Sequence, residues 1–368
     1  MEYKKIIELT TVVTGGTPST EKREYWDNGS IPWLQSGCCQ NCEVNSAGKY
    51  ITQEGYDNSS TRMMPADTVM IALTGATAGK VGYLNFAACG NQSITGILPC
   101  GALNQRYLFY YLISQRHKIL ADCVGGAQAH ISQGYVKNIK VPVLSLVEQE
   151  QVVEVLTQLN NIISMRRKEI GLLDTLVKSR FAEMFGDVKY GTERWGGKPF
   201  KDITINLDSK RKPVKDADRK KMQGIYPYYG ATGIVDYVND YRQDGDFLLI
   251  SEDGKALELR SKPIAFLASG KIWVNNHAHV QQCTDECNMI YLMYHINFMD
   301  ISIWVTGIDQ KKLNRANLDI IPIALPPIEL QNQFADFVVS VDKSKSKIQK
   351  SLEETQLLFD SLMQKYFG

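Results

Sequence analysis

Ile139-Lys140-Val141-Pro142-Val143, with Glu148-Gln149-Glu150-Gln151 close behind it, returns in outline as Asp319-Ile320-Ile321-Pro322-Ile323 and Glu329-Leu330-Gln331-Asn332-Gln333. Downstream, Leu176-Val177-Lys178-Ser179 answers to Leu358-Phe359-Asp360-Ser361, and Phe185-Gly186 to Phe367-Gly368. A repeat about half the chain long implies one structural unit built twice. Upstream the match is fainter. Asp67-Thr68-Val69-Met70-Ile71 pairs with Asp246-Phe247-Leu248-Leu249-Ile250, and Tyr107-Leu108 with Tyr291-Leu292. Similar end segments with divergent bodies suggest one scaffold reading two different targets.

The end segments carry a helical period. Val152, Val155, Leu159, Ile162, Ile170, Leu173, Val177 and Met184 fall near 3-4 spacing, with Arg166 and Arg180 as polar breaks. The second copy gives Phe334, Phe337, Val341, Ile348, Leu352, Leu362 and Tyr366, broken by Lys345 and Thr355. Such a seam, sustained over several heptads, predicts a coiled-coil helix. Each segment lacks proline and follows one (Pro142; Pro326-Pro327), as helix starts do. Two similar seams in one chain predict that the helices pair with each other, antiparallel, and separate the two bodies. The competing expectation is that each helix packs only on its own body.

The expected fold class is therefore α+β: two mixed, strand-rich bodies, 1–145 and 187–326, and two long helices, 146–186 and 327–368. Thr68–Leu73, Asp246–Ser251 and Lys271–Val274 read as strands, Leu103–Leu120 and Asn288–Ile303 as helices. The formal net charge is +1, so any nucleic-acid partner must meet local basic faces. No long apolar run marks a leader or a membrane span, and the eight cysteines read as reduced thiols of a cytoplasmic protein.

An ordered set of motifs then stands out. The first body has Gly15-Gly16-Thr17-Pro18-Ser19, Ile31-Pro32-Trp33-Leu34, Thr74-Gly75-Ala76-Thr77-Ala78-Gly79-Lys80-Val81-Gly82 and Asn91-Gln92-Ser93-Ile94. The second has Tyr226-Pro227-Tyr228-Tyr229-Gly230-Ala231-Thr232-Gly233 and Trp273-Val274-Asn275-Asn276-His277-Ala278-His279-Val280. With the duplication, this order resembles the specificity subunit of type I restriction-modification systems over essentially the whole chain. The resemblance implies a bipartite double-stranded DNA target, each target-recognition domain reading one half. It implies methyltransferase subunits docked on the paired helices and a separate restriction subunit that translocates and cleaves. It implies no catalysis and no cofactor in this chain, with S-adenosylmethionine, ATP and Mg on the partner subunits. The alternatives are a self-contained nuclease or methyltransferase and a coiled-coil adaptor that binds only proteins.

The residues argue against catalysis. Gly75–Lys80 evokes a phosphate-binding loop, but too few residues separate its glycines and Val81 stands where a hydroxyl should hold Mg²⁺. A tight turn between strands is expected instead. Asp246, Asp253 and Lys255 faintly suggest a nuclease; a strand-end turn is the plainer reading. A methyltransferase needs an acidic or amide residue before Pro-Pro, and here Leu325 precedes Pro326-Pro327. Cys39 and Cys42, or His277, His279, Cys283 and Cys287, have spacings a zinc ion accepts, but buried thiols and hydrogen-bonded histidines are expected.

The basic run Lys210, Arg211, Lys212, Lys215, Arg219, Lys220 and Lys221 precedes a Tyr226–Gly233 loop. It is either a solvated loop or a phosphate clamp beside a reading loop. Candidate DNA contacts in this body are Lys210, Arg211, Lys212, Lys215, Tyr228, Tyr229, Lys271, Asn276 and His277. In the first body they are Lys22, Arg23, Arg62, Lys80, Gln128 and His130. Arginine to guanine and asparagine or glutamine to adenine are the expected base pairings. Exchanging residues 1–145 for another body is expected to change one half of the DNA target, as methylation-site sequencing would read; change in both halves would contradict modularity.

Overall fold

The structure is a computed structural model that describes residues 2–122, 130–188, 191–308 and 310–368. It divides into two compact units, Met1–Arg167 with Lys350–Gly368, and Lys168–Gln349. The two long helices, Leu146–Phe185 and Ile328–Phe367, are 40 residues each. Each unit holds one body and part of both helices.

Within each unit the helices pair. In the second unit Asp174 meets Lys345 at 2.6 Å, while Phe181 packs edge-on against Phe334 at 5.2 Å. Residue numbers rise along one helix as they fall along the other, so the pairing is antiparallel. In the first unit Arg166 donates to the Ser351 carbonyl and the Thr355 hydroxyl, and Arg167 to Gln356 at 3.2 Å. The polar breaks therefore have partners. A polar group at a seam position tolerates few alternative alignments, so these contacts fix the register.

The seam itself differs in detail from the sequence reading. Val152, Leu156, Ile163, Val177, Phe181 and Phe185 are buried, whereas Val155 is exposed. The step after Val152 is four residues rather than three, which the sequence offered equally because both positions are apolar.

The first body has a five-stranded sheet, in spatial order Val12–Thr14, Ile94–Ile97, Thr68–Ala72, Val81–Leu84 and Cys42–Val44. A smaller sheet orders Lys49–Ile51, Ile31–Leu34 and Cys89–Gly90. The second body fuses the corresponding strands into one sheet: Thr204–Asn206, Ala278–Cys283, Gln243–Ser251, Ala265–Val274, Gln223–Gly230 and Gly233–Val238. Alternating apolar residues bury one face of each, and Thr68–Ala72 and Phe247–Ser251 are buried on both. Three sequence expectations are corrected. Leu103–Leu120 is two helices, Gln105–Ser114 and Arg116–Ala121, and the other helix stops at Met289–Phe298. Tyr226–Gly233 is not a loop but part of a hairpin, because its alternating side chains pair across strands.

Each body grips the start of the long helix that follows it through a buried glutamine. Gln149 Nε2 donates to the Leu144 carbonyl (2.9 Å) and its Oε1 accepts from the Asn104 amide (2.8 Å). Gln331 does the same with Pro326 (2.8 Å) and Asn288 (2.8 Å). Asn104 and Asn288 in turn cap the body helices Gln105–Ser114 and Met289–Phe298. Tyr107 donates to the Pro142 carbonyl and Tyr291 to that of Ala324. Pro142 thus corresponds to Ala324; the sequence match with Pro322 was two residues out of register, a slip that keeps every strand side chain on its face.

The far end of each helix completes a body core. Phe367 packs on Tyr107 (5.3 Å) and Tyr111 (5.7 Å) in the first unit. Phe185 packs on Tyr291 (4.8 Å) and Phe334 (5.5 Å) in the second. Beside it, His295 Nε2 accepts from the Ala324 amide, and burial lowers the imidazole pKa to about 3. Among the described residues no helix is long and apolar enough to cross a membrane.

Two outcomes follow. Gln331→Leu removes the partner of the part-buried Asn288 amide and of the buried Pro326 carbonyl, and is expected to destabilise the second unit by roughly 2–4 kcal/mol, measured by urea unfolding. His295 binds a proton more weakly folded than unfolded, so its contribution is complete above pH ~6.5 and lost as pH falls toward 3. Urea titrations at pH 7 and 5, read by hydrogen exchange across Met289–Phe298, should show a lower midpoint at pH 5, and His295→Gln should reduce that difference.

Candidate nucleic-acid interface

Both bodies build one rim by the same main-chain bonds. Leu73 donates to the Ser93 carbonyl (2.8 Å), and Glu252 to that of His277 (2.9 Å). Ile131 donates to Leu73 (2.9 Å), and Leu313 to Glu252 (2.8 Å). Asn91 Oδ1 accepts from the Ser93 amide (3.2 Å), and Asn275 Oδ1 from that of His277 (2.7 Å). The Asn91 amide reaches Leu34 (2.9 Å), and that of Asn275 reaches Tyr229 (3.1 Å). Gly16 donates to Gly90 (2.8 Å), and Lys212 to Val274 (3.1 Å). An indole supports this last position in each body: Trp33 Nε1 donates to Gly16 O (2.9 Å), Trp273 Nε1 to Lys212 O (2.7 Å). The Asn-x turns hold Gln92 and Asn276 out into solvent.

In the second body, the exposed Lys210, Lys212, Lys215 and Lys271 have no carboxylate within 4.0 Å among the described residues. Arg242 bonds the Lys210 carbonyl and covers Trp273, while Lys271 sits over Tyr241, itself 5.2 Å from Tyr226. This is an unneutralised basic and aromatic surface of the kind phosphates bind. Arg211 does not belong to it. It is half-buried and committed to Glu252 (2.6 Å), Asp208 (3.3 Å) and the Ala278 carbonyl (3.1 Å).

That ion cluster fixes the path of the lysine segment. His279 joins Asp208 (2.7 Å) to the Leu313 carbonyl (2.8 Å), and Lys312 reaches Glu252 (3.0 Å). Burial alone would raise the Asp208 and Glu252 pKa values. Hydrogen bonds from His279 to the first, and from Arg211 and Lys312 to the second, hold both below the ordinary carboxylate range.

Tyr228 and Tyr229 are also corrected. Tyr228 is 1% exposed and its hydroxyl accepts from the Val214 amide; Tyr229 packs with Phe247 and Leu249. The outward tyrosine is Tyr237, paired across from Pro227, and the first body repeats it as Tyr50 across from Pro32. Alternation along the second hairpin strand was the signal that could have found both. Asn276 and His277 lie on the rim, with His277 bonded to Asp253 at 2.8 Å.

The first-body candidates are more scattered. Lys22 donates to the Tyr25 hydroxyl (2.9 Å), which raises its pKa, and Arg23 beside it is exposed. Nearby, Thr20, Trp26, Asn28, Gly29, Lys49 and Tyr50 line an open cleft of about 570 Å³. Arg62 bonds the Thr61 carbonyl. Lys80 bonds Gln40 at 2.7 Å, on a turn where Gly75 and Gly79 both have positive φ. His130 lies on the rim, bridged to Thr74. Gln128 lies outside the described residues. Asp246 lies on the strand Gln243–Ser251, roughly 16 Å before its end, and Asp253 lies beyond that end, so the two are not brought together on one ion. Among the described residues no three His, Cys, Asp or Glu side chains come together as a metal site.

The comparisons agree with this duplicated architecture. A family model described as "Type I restriction modification DNA specificity domain" matches residues 1–172 and 193–355. A putative type I restriction enzyme specificity subunit of Haemophilus influenzae is 38% identical over 136 residues, 37% of this chain and 34% of that protein. The EcoR124I/EcoR124II specificity subunit of Escherichia coli is 31% identical over 167 residues, 44% of this chain and 41% of that protein. The chain thus spans well under half the length of these two relatives. It is 22% identical to the MjaIX specificity subunit of Methanocaldococcus jannaschii, over 99% of this chain and 92% of that one. The crystal structure of a type I restriction-modification S subunit from M. genitalium shares the fold, with TM-score 0.63 and 16% identity, covering 100% of this chain and 96% of that one. Two matched segments, each carrying one strand-rich body, place the chain in the type I restriction-modification DNA specificity family.

Proposed function

We propose that this chain is the DNA-recognition subunit of a cytoplasmic type I restriction-modification complex, binding a bipartite duplex target with one half per body. The bodies are residues 1–145 and 187–326, and the spacer helices 146–186 and 327–368. One observation carries the reading: a single hydrogen-bonded framework occurs twice, with different exposed side chains at equivalent positions. A protein reading one repeated sequence would need no such divergence. Unpaired lysines beside the rim of the second body supply sequence-independent affinity, and rim side chains supply discrimination.

The long helices have apolar residues facing away from the seam, Leu172 and Leu176 in one unit and Leu357 and Leu358 in the other. They offer a surface for methyltransferase subunits, with the restriction subunit joining the assembly. Methyl transfer, cleavage, S-adenosylmethionine, ATP and Mg²⁺ belong to those partners.

Methylation-site sequencing of host DNA with and without this chain tests the reading. A bipartite methylated sequence that disappears with the chain is expected. Methyl transfer or cleavage by the purified chain alone, or no sequence-selective modification depending on it, would overturn the proposal.

A further inference from the structure

We propose that Gln92 and His130 in the first body, and Asn276 and Lys312 in the second, are equivalent base-reading positions. The inference rests on the DNA-recognition reading above and assigns residues to it.

The equivalence comes from main-chain geometry. Gln92 and Asn276 each occupy the exposed middle of an Asn-x turn. His130 bridges to Thr74 as Lys312 bridges to Asp253. The residue after each, Ile131 or Leu313, is fully buried and anchors the position.

The pairs behind these positions are also equivalent, with changed chemistry. Thr74 donates to the Ser93 hydroxyl at 3.0 Å; at the same place Asp253 meets His277 Nδ1 at 2.8 Å. A neutral hydroxyl pair in one body and a charge-assisted pair in the other brace the same two strands' ends. The framework residues vary little, as Asn91 and Asn275 are identical and Ile131 and Leu313 both apolar. The outward positions differ in length, charge and donor number. That separation is what two reading heads on one scaffold require.

Duplex DNA is the occupant that the charge favours. Lys212 is bonded through its amide to Val274, just ahead of the Asn275 turn, and Lys210 lies two residues before it; neither has a carboxylate partner among the described residues. Side-chain amides carry donors and an acceptor, the pattern that matches adenine in the major groove, and a lysine donates to guanine. Gln92 Oε1 accepts from the Thr17 hydroxyl, and Lys312, 50% exposed where Arg211 is 17%, pairs with Glu252, so each exchanges that partner for a base edge.

The test uses the full chain assembled with its methyltransferase subunits on a plasmid library randomised in both half-sites. Asn276→Ala should relax discrimination about tenfold or more at a base of one half only, and Gln92→Ala at a base of the other. Asn276→Asp, nearly identical in shape but without donors, should change the preferred base. Lys215→Ala, which removes one of the unpaired lysines beside the rim and no rim side chain, should weaken all sequences alike. Unchanged base preference at every position in all three rim variants, while the wild type remains selective, would reduce the rim to ordinary surface variation. A wild-type complex with no sequence preference would instead refute the DNA-recognition reading itself.

Discussion

Each body packs on the C-terminal end of a long helix, and the rest of the architecture depends on that closure. Phe367 and Met363 belong to the apolar cluster around Tyr107, Phe109 and Val141, and Phe181 and Phe185 to the one around Tyr291 and Phe334. Burying an aromatic side chain contributes about 1.5–3 kcal/mol, so these ends are a substantial part of each unit's stability. The first unit therefore cannot be completed from a continuous stretch of sequence, whereas the second spans Lys168–Gln349 without a break. The long helices must pair for either core to be whole.

The seam enforces alignment by polar contacts rather than by apolar area alone. Sliding the helices by one heptad would leave Arg166 without Thr355 and Lys345 without Asp174. The buried glutamines then tie each helix start to its own body through the capping asparagine. Body, capping residue, glutamine and helix make one mechanical path. The exposed rim residues Gln92 and Asn276 stand on segments that this path supports but does not include.

Much of this was legible in the residues. The duplication, the two long helices and their pairing followed from the repeat and the 3-4 spacing. The Gln-rich starts were visible as a pattern, but only the structure shows that Gln149 and Gln331 are the buried members. The site was harder to read. Tyr228 drew notice as an aromatic beside a basic run, yet strand alternation turns it inward and leaves Tyr237 outside. Arg211 looked like a phosphate ligand because sequence does not reveal that Asp208 and Glu252 converge on it. Lys312 carried no signal at all, since its place on the rim comes from a main-chain bridge to a residue far away in sequence.

Photocrosslinking tests the central claim directly. A photoreactive residue at position 50 or 237, the paired outward tyrosines, would be carried by the full chain in its complex with methyltransferase subunits and target DNA. The account predicts that both positions crosslink, each to a different half of the bipartite sequence. Crosslinks from both positions to the same half, or from neither, would contradict it.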